Sequence, residues 1–178
     1  MPEDGSPLRM FLPVHVDDGC AATNSRPLYV WFIQFLNQKF TVNDLGPLWM
    51  FLGVSFDYDR NRGILSLSQQ PFIEELLSSH DLLNAKPQDV PLKSKSPHDL
   101  PVPPNALLHI TEANITKAYQ SIVSSLLYLA SWTHPDIAYA VVALAQWNAS
   151  PTRSTLLAAK GVLRYLLGTQ EVWEWGLH

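Results

Sequence analysis

Six prolines, Pro87, Pro91, Pro97, Pro101, Pro103 and Pro104, fall between residues 84 and 114 of this 178-residue chain. Proline fixes φ and has no backbone N–H, so it fits poorly inside a helix or a central strand. The sequence around them is largely polar and carries Lys86, Lys93 and Lys95. It predicts an extended connection with no core of its own, mobile and with few buried apolar contacts. A connection this long is uncommon within a compact domain, so it marks a boundary or a functional segment. It separates a strand-rich front, residues 1–83, from a helical back, residues 115–170. A chain of this length is one large domain or two small ones.

In the front, Leu8 to His15 reads as a strand and Cys20-Ala21-Ala22 as its return. Asp17 and Asp18 lie at the tip of the resulting hairpin, Leu8–Ala22, just before Gly19. Neighbouring strand residues point to opposite faces, so two adjacent acids share a direction only at a turn. Two close carboxylates repel unless a cation lies between them, and a hard divalent ion that prefers oxygen ligands would suit. The alternative is ordinary Asp-Gly turn chemistry, with both acids solvated. Pro13 removes one ladder donor and predicts an exposed edge or a bulge.

Pro27 opens a helix over Leu28–Phe40, whose aromatic stripe reads as a core face. A second hairpin spans Leu48–Ser68, with its turn at Asp59–Gly63. Gly53, inside its first strand, reads as a bulge or a close backbone approach. A short helix begins near Pro71, with Phe72, Ile73, Leu76 and Leu77 on one face.

The back is helical in pattern. Tyr119, Ile122, Val123, Leu126, Leu127 and Ala130 repeat at three and four. Thr133-His134-Pro135-Asp136 reads as a capping-box start, with Asp136 in the place usually taken by Glu. A third helix opens at Pro151-Thr152 and ends at Gly168. Lys160 and Arg164 share one of its faces, which is either a solvated face or a phosphate contact. Val172 to Leu177 reads as the start of a strand.

Composition narrows the function classes. The chain is 47% hydrophobic and 16% charged, which provides a core and argues against disorder throughout. A net charge of −4 argues against a strongly basic nucleic-acid surface, though a local groove stays open. The single cysteine, Cys20, rules out an internal disulfide. The N-terminus lacks a signal-peptide pattern, and no apolar run reaches the roughly 20 residues of a membrane span. The expectation is an intracellular protein, cytoplasmic or nuclear, with no membrane partner. The histidines show no zinc-type pairing.

Several of these pieces, in this order, resemble the reverse transcriptase of copia-type LTR retrotransposons. His15-Val16-Asp17-Asp18 resembles the family's Tyr-Val-Asp-Asp. Phe40 with Asn43-Asp44-Leu45-Gly46 resembles its Phe followed by Lys-Asp-Leu-Gly. Phe51-Leu52-Gly53-Val54, Leu67-Ser68-Gln69, Ala85-Lys86-Pro87, Pro91-Leu92 and Ser125 to Leu129 match further motifs. So do Thr133-His134-Pro135-Asp136-Ile137 and Leu163-Arg164-Tyr165-Leu166-Leu167-Gly168-Thr169. The likeness runs from Leu12 to Leu177.

The resemblance implies an α+β fold. An antiparallel palm-type sheet of two hairpins with a packed helix would be followed by a helical thumb and connection. It implies a partial palm over 1–83, a Pro-rich connection over 84–114, helices over 115–170 and the start of a truncated RNase H-like strand over 171–178. Asp17 and Asp18 would be catalytic ligands of Mg²⁺ or Mn²⁺. His15, Phe51, Leu52, Gly53, Lys160 and Arg164 would lie along nucleic acid, with Phe51-Leu52-Gly53 as a primer grip. The partners would be an RNA or DNA template-primer, dNTP and an upstream palm and fingers half.

The departures matter as much. Glu3 and Asp4 are poor substitutes for the family's third carboxylate. His15 replaces a tyrosine, His134 an arginine and Leu167 a lysine, and Thr155 falls near a common histidine. The leading expectation is a reverse transcriptase fragment, an RNA-directed DNA polymerase piece inactive alone, with weak metal binding. The alternative is a non-catalytic remnant or co-opted interaction module that keeps the polymerase core. An unrelated Mg²⁺-dependent hydrolase would need more acids near the pair.

Overall fold

The computed structural model describes residues 5–94, 96–103, 106, 111–169 and 173–176. They fall into two compact units, Met1–Asp57 and Tyr58–His178. The fold is mixed, with small antiparallel ladders and, among the described residues, five α-helices.

The first unit opens with a hairpin in four short pieces. Strand β1, Met10–Phe11, pairs with β4, Ala22–Thr23, and β2, Val14–His15, pairs with β3, Asp18–Gly19. Met10 faces Thr23, Phe11 faces Ala22, Val14 faces Gly19 and His15 faces Asp18, all in one register. In the gap, the Cys20 N–H donates to the Pro13 carbonyl at 3.0 Å. Pro13 has no N–H to return, so the ladder loses one bond without slipping, and there is no bulge. The loop between β2 and β3 is the two-residue turn Val16-Asp17, and Val16 sits at φ 55°. That position in such turns favours glycine, so a β-branched residue there is strained.

Helix α1, Arg26–Asn37, starts where the Ser25 hydroxyl accepts from the Leu28 N–H, with Pro27 in the first turn. It ends before Phe40. The Asn37 side chain bonds back to the Ile33 carbonyl and accepts from the Val42 N–H, which draws the chain out of the helix. No residue of α1 is buried, and its core-face reading is corrected. Trp31 and Phe35 are exposed and stack on each other at 5.6 Å.

The stretch Leu48–Ser68 holds three strands and two turns, not one hairpin. Strand β5, Met50–Phe51, pairs with the start of β6, Val54–Asp59, through the turn Leu52-Gly53. Both turn residues have positive φ, 50° and 75°, as a type I′ turn requires. Gly53 is therefore a turn residue rather than a strand bulge. After β6, the Asp59 carboxylate accepts from the N–H groups of Asn61 and Arg62 and shapes the turn into β7, Ile64–Ser68.

The second unit holds the main core. Helix α2, Gln70–Ser79, buries Ile73, Leu76 and Leu77. Helix α3, Glu112–Trp132, is followed by a 3-10 turn, Pro135–Ile137, then α4, Ala138–Ala145, and α5, Arg153–Gly168. These are the helices read from periodicity. Tyr119, Ile122, Leu126, Leu129, Ile137, Leu144, Leu156, Leu163 and Leu166 are all essentially inaccessible. Each such leucine or isoleucine stabilises by about 1.5–3 kcal/mol relative to exposure. Thr152 and Thr155 form the capping box of α5, each side chain accepting from the other's backbone N–H. The Tyr119 hydroxyl donates to the Leu144 carbonyl at 2.6 Å and ties α3 to the end of α4.

The capping box expected at Thr133 is not formed. The Thr133 hydroxyl donates to the Gln69 side-chain oxygen at 2.8 Å, and no side chain caps the 3-10 turn. His134 is buried instead, its Nδ1 3.5 Å from the Asp136 carboxylate.

The Pro-rich connection also differs from its reading. Leu92, Leu100 and Ala106 pack against the core, and Pro97 is buried within a 3-10 turn, Pro97–Asp99. The His98 ring stacks on Trp147 at 4.8 Å. Prolines forbid ladder and helix here, but the apolar residues between them still find a surface. Residues 95, 104, 105 and 107–110 of that segment lie outside the described residues. Strand β8, Trp173–Gly176, pairs antiparallel with β7, Leu67 facing Trp173. Its partner is thus within this chain. The rest of the 171–178 reading, and Glu3 and Asp4, lie outside the described residues.

Two predictions follow from these local constraints. Glycine at position 16 releases the left-handed strain at a smaller entropic cost, so Val16→Gly should slow exchange of the Cys20 amide by about threefold. Faster exchange would show that the turn is not strained. Burial pushes the His134 pKa down, and Asp136 only partly opposes this. The unfolded chain therefore binds the extra proton first, and stability is full above about pH 6.5 and falls as pH drops below it. Thermal unfolding between pH 7.5 and 5 should show that loss, reduced in His134→Gln.

Candidate functional site

The residues singled out from sequence fall on three elements. The hairpin turn carries the first set. His15 and Asp18 face each other across the β2–β3 ladder, and Asp17 occupies the second turn position between them. Only Asp17 is thus at the tip, and Asp18 is already a strand residue. Both acids and His15 are exposed. The donors are carboxylate oxygens, the type a hard divalent cation prefers. Their number is short, because among the described residues no three His, Cys, Asp or Glu side chains gather closely enough to hold a metal ion.

The second set, Phe51, Leu52 and Gly53, forms the tip of the β5–β6 hairpin. Phe51 faces Val54, and Phe51 and Leu52 are half-buried while Gly53 is exposed. Its two left-handed residues fold the backbone back within one turn.

The third set lies on α5, and both side chains are half-buried. The Arg164 Nη2 donates to the Gln88 side-chain oxygen at 3.3 Å. Lys160 is half-buried, and that burial pushes its pKa down against the opposing charge of Asp81. His80, at the end of α2, is likewise pushed down, first by burial and then by Lys160. Neither cation is fully exposed to solvent.

One residue has a role that the sequence reading did not name. The Asp44 carboxylate accepts from the Tyr29 hydroxyl at 2.6 Å and from the Gly46 N–H at 2.9 Å. These bonds hold its carboxyl below the usual range, the hydroxyl contributing most. Gly46 sits at φ 81°. The Asp-Leu-Gly motif is therefore a side-chain-locked turn that anchors the chain after α1. Its signal was present in the sequence, since Asp two residues before Gly is Asx-turn chemistry.

Sequence comparison supplies the remaining evidence. The chain is 37% identical over 160 residues to the retrovirus-related Pol polyprotein from transposon RE1 of Arabidopsis thaliana, covering 90% of this chain and 10% of that protein. It is 32% identical over 161 residues to the corresponding polyprotein from transposon TNT 1-94 of Nicotiana tabacum, covering 90% of this chain and 12% of that one. An uncharacterised mitochondrial protein of Arabidopsis thaliana is 33% identical over 160 residues, covering 90% of this chain and 62% of its own length. No protein-family model and no solved structure matches the chain. The chain spans about a tenth of the length of the Pol polyproteins it matches. It is a homologue of one limited stretch of retrovirus-related Pol polyproteins of copia-type transposons.

Proposed function

We propose that this chain is a reverse transcriptase segment of such a Pol polyprotein: part of the palm followed by thumb and connection helices. Asp17 and Asp18 are its metal-facing carboxylates. The observation that carries the reading is the Asp-Asp pair, one acid in the turn and the next in the first strand position of a register-locked hairpin, in a chain whose relatives are Pol polyproteins. A bound Mg²⁺ or Mn²⁺ would activate a primer 3′-hydroxyl and neutralise the triphosphate leaving group. The chain's own residues do the rest. Asp17 and Asp18 present hard oxygen donors, and His15, opposite Asp18, flanks them. The folded-back turn at Phe51-Leu52-Gly53 offers backbone to a primer strand.

Two adjacent carboxylates do not complete such a site, since Mg²⁺ sheds water reluctantly and needs several ligands. The 178-residue chain alone should bind Mg²⁺ weakly and extend no primer. A second reading, a non-catalytic interaction module, is favoured by the exposed Phe11, Trp31, Phe35 and Trp49 of the first unit.

The test combines a binding readout with an activity readout. Millimolar Mn²⁺ should broaden NMR signals at Asp17 and Asp18 first, and Asp17→Asn should remove that effect. Broadening centred elsewhere would sink the metal-facing assignment and favour the module. In metal-free buffer, Asp17→Asn should leave the melting temperature unchanged or slightly raised, because it relieves a screened like-charge contact. Mg²⁺-dependent primer extension by the isolated chain, lost in Asp17→Asn, would overturn the claim of inactivity.

A further inference from the structure

Gly161, Arg164 and Gly168 are spaced three and four apart, so they share one face of α5. The two glycines leave a groove there, and the Pro-rich segment fills it. A Cβ at Gly168 would lie 3.2 Å from the Pro87 Cβ, and one at Gly161 would lie 3.4 Å from both amide atoms of Gln88. Gln88 is buried, although it is polar and sits in a segment rich in proline.

Its polar groups are satisfied from both sides. The Gln88 backbone N–H donates to the Arg164 carbonyl at 3.1 Å. Its side-chain Nε2 donates to the Val90 carbonyl at 2.6 Å and the Pro91 carbonyl at 3.4 Å, and its Oε1 accepts from Arg164 at 3.3 Å. One side chain thus closes a small loop on itself and locks that loop to the helix. Two sequence motifs that look independent, Ala85-Lys86-Pro87 and Leu163 to Thr169, meet in this contact.

We propose that Pro87–Pro91 is an intramolecular latch that closes on α5 and opens without unfolding the unit, with Arg164 as its positioning residue. The contact is local, made of a few hydrogen bonds and two close approaches, whereas the core beneath is apolar and continuous. Segments held in this way open sub-globally. Closed, the latch keeps the Arg164 guanidinium engaged; open, it returns that group to solvent.

Amide exchange of residue 88 reads the latch directly, because that N–H is bonded to α5. Gln88→Ala should speed it by about tenfold, the scale of losing hydrogen bonds to a charged partner. Gly161→Leu should do the same by filling the groove, although leucine is the better helix former. Amides of Leu126 and Leu163 should keep their protection in both variants. Arg164→Ala should speed residue 88 when Gln88 is present and add little in the double variant with Gln88→Ala. The latch is refuted if residue 88 stays equally protected in both Gln88→Ala and Gly161→Leu. It is refuted too if the core amides speed up in parallel, or if the effects of Arg164→Ala and Gln88→Ala simply add.

Discussion

Helix α5 can be enclosed because it carries small residues where its neighbours approach. Ala158, Ala159 and Gly161 are buried beside Leu156, Val162, Leu163 and Leu166. Packing α2, α3 and α4 around one helix requires close interaxial distances, which bulky side chains on every face would prevent. The leucines then supply the apolar area, and the glycine positions take the Pro-rich segment. The Thr152–Thr155 capping box satisfies the Thr155 N–H in the first turn of the helix and the Thr152 N–H just before it. Without α5, the apolar faces of α2, α3 and α4 would have no common partner.

The first unit rests on a different physical basis. Its strands are short, and Val54 is its one fully buried large apolar residue among those described. Order there comes from backbone constraints: two two-residue turns, a constant register through Pro13, and the Asp44 lock on Tyr29 and Gly46. Isolated two-stranded hairpins are marginal in water. Its exposed aromatic and aliphatic side chains agree with a unit that contributes little burial of its own.

This difference explains what could be read from the sequence and what could not. The back helices were legible because burial imposes a 3.6 period, and Tyr119, Ile122 and Leu126 report it directly. Gly168 and Thr152 marked the ends of α5 by ordinary capping chemistry. The two-residue turn at Leu52-Gly53 was hidden, because apolar strand formers flank it and leucine gives no sign of a left-handed φ. Phe40 carried the right spacing for α1, but the Asn37 side chain diverts the chain first. The docking of Gln88 was invisible for another reason. A buried amide 76 positions from its arginine partner leaves no local pattern.

The same reasoning separates the two acids. Adjacent residues in a turn-and-strand boundary are not equivalent donors, although a sequence motif writes them as a pair. Asp18 is held by its ladder position opposite His15, so its backbone is fixed on both sides by the hairpin register. Asp17 is held by the turn alone, next to Val16 in the left-handed region. Under the palm reading, the direction of the Asp17 carboxylate therefore depends on the conformation of its neighbour, and that of Asp18 on the strand. A substitution at position 16 would act on the metal-facing geometry through Asp17 while leaving Asp18 in place. The valine side chain is solvent-exposed and contributes no core packing. Its influence on such a site would come from its backbone, which is a reason for a strained residue to persist there.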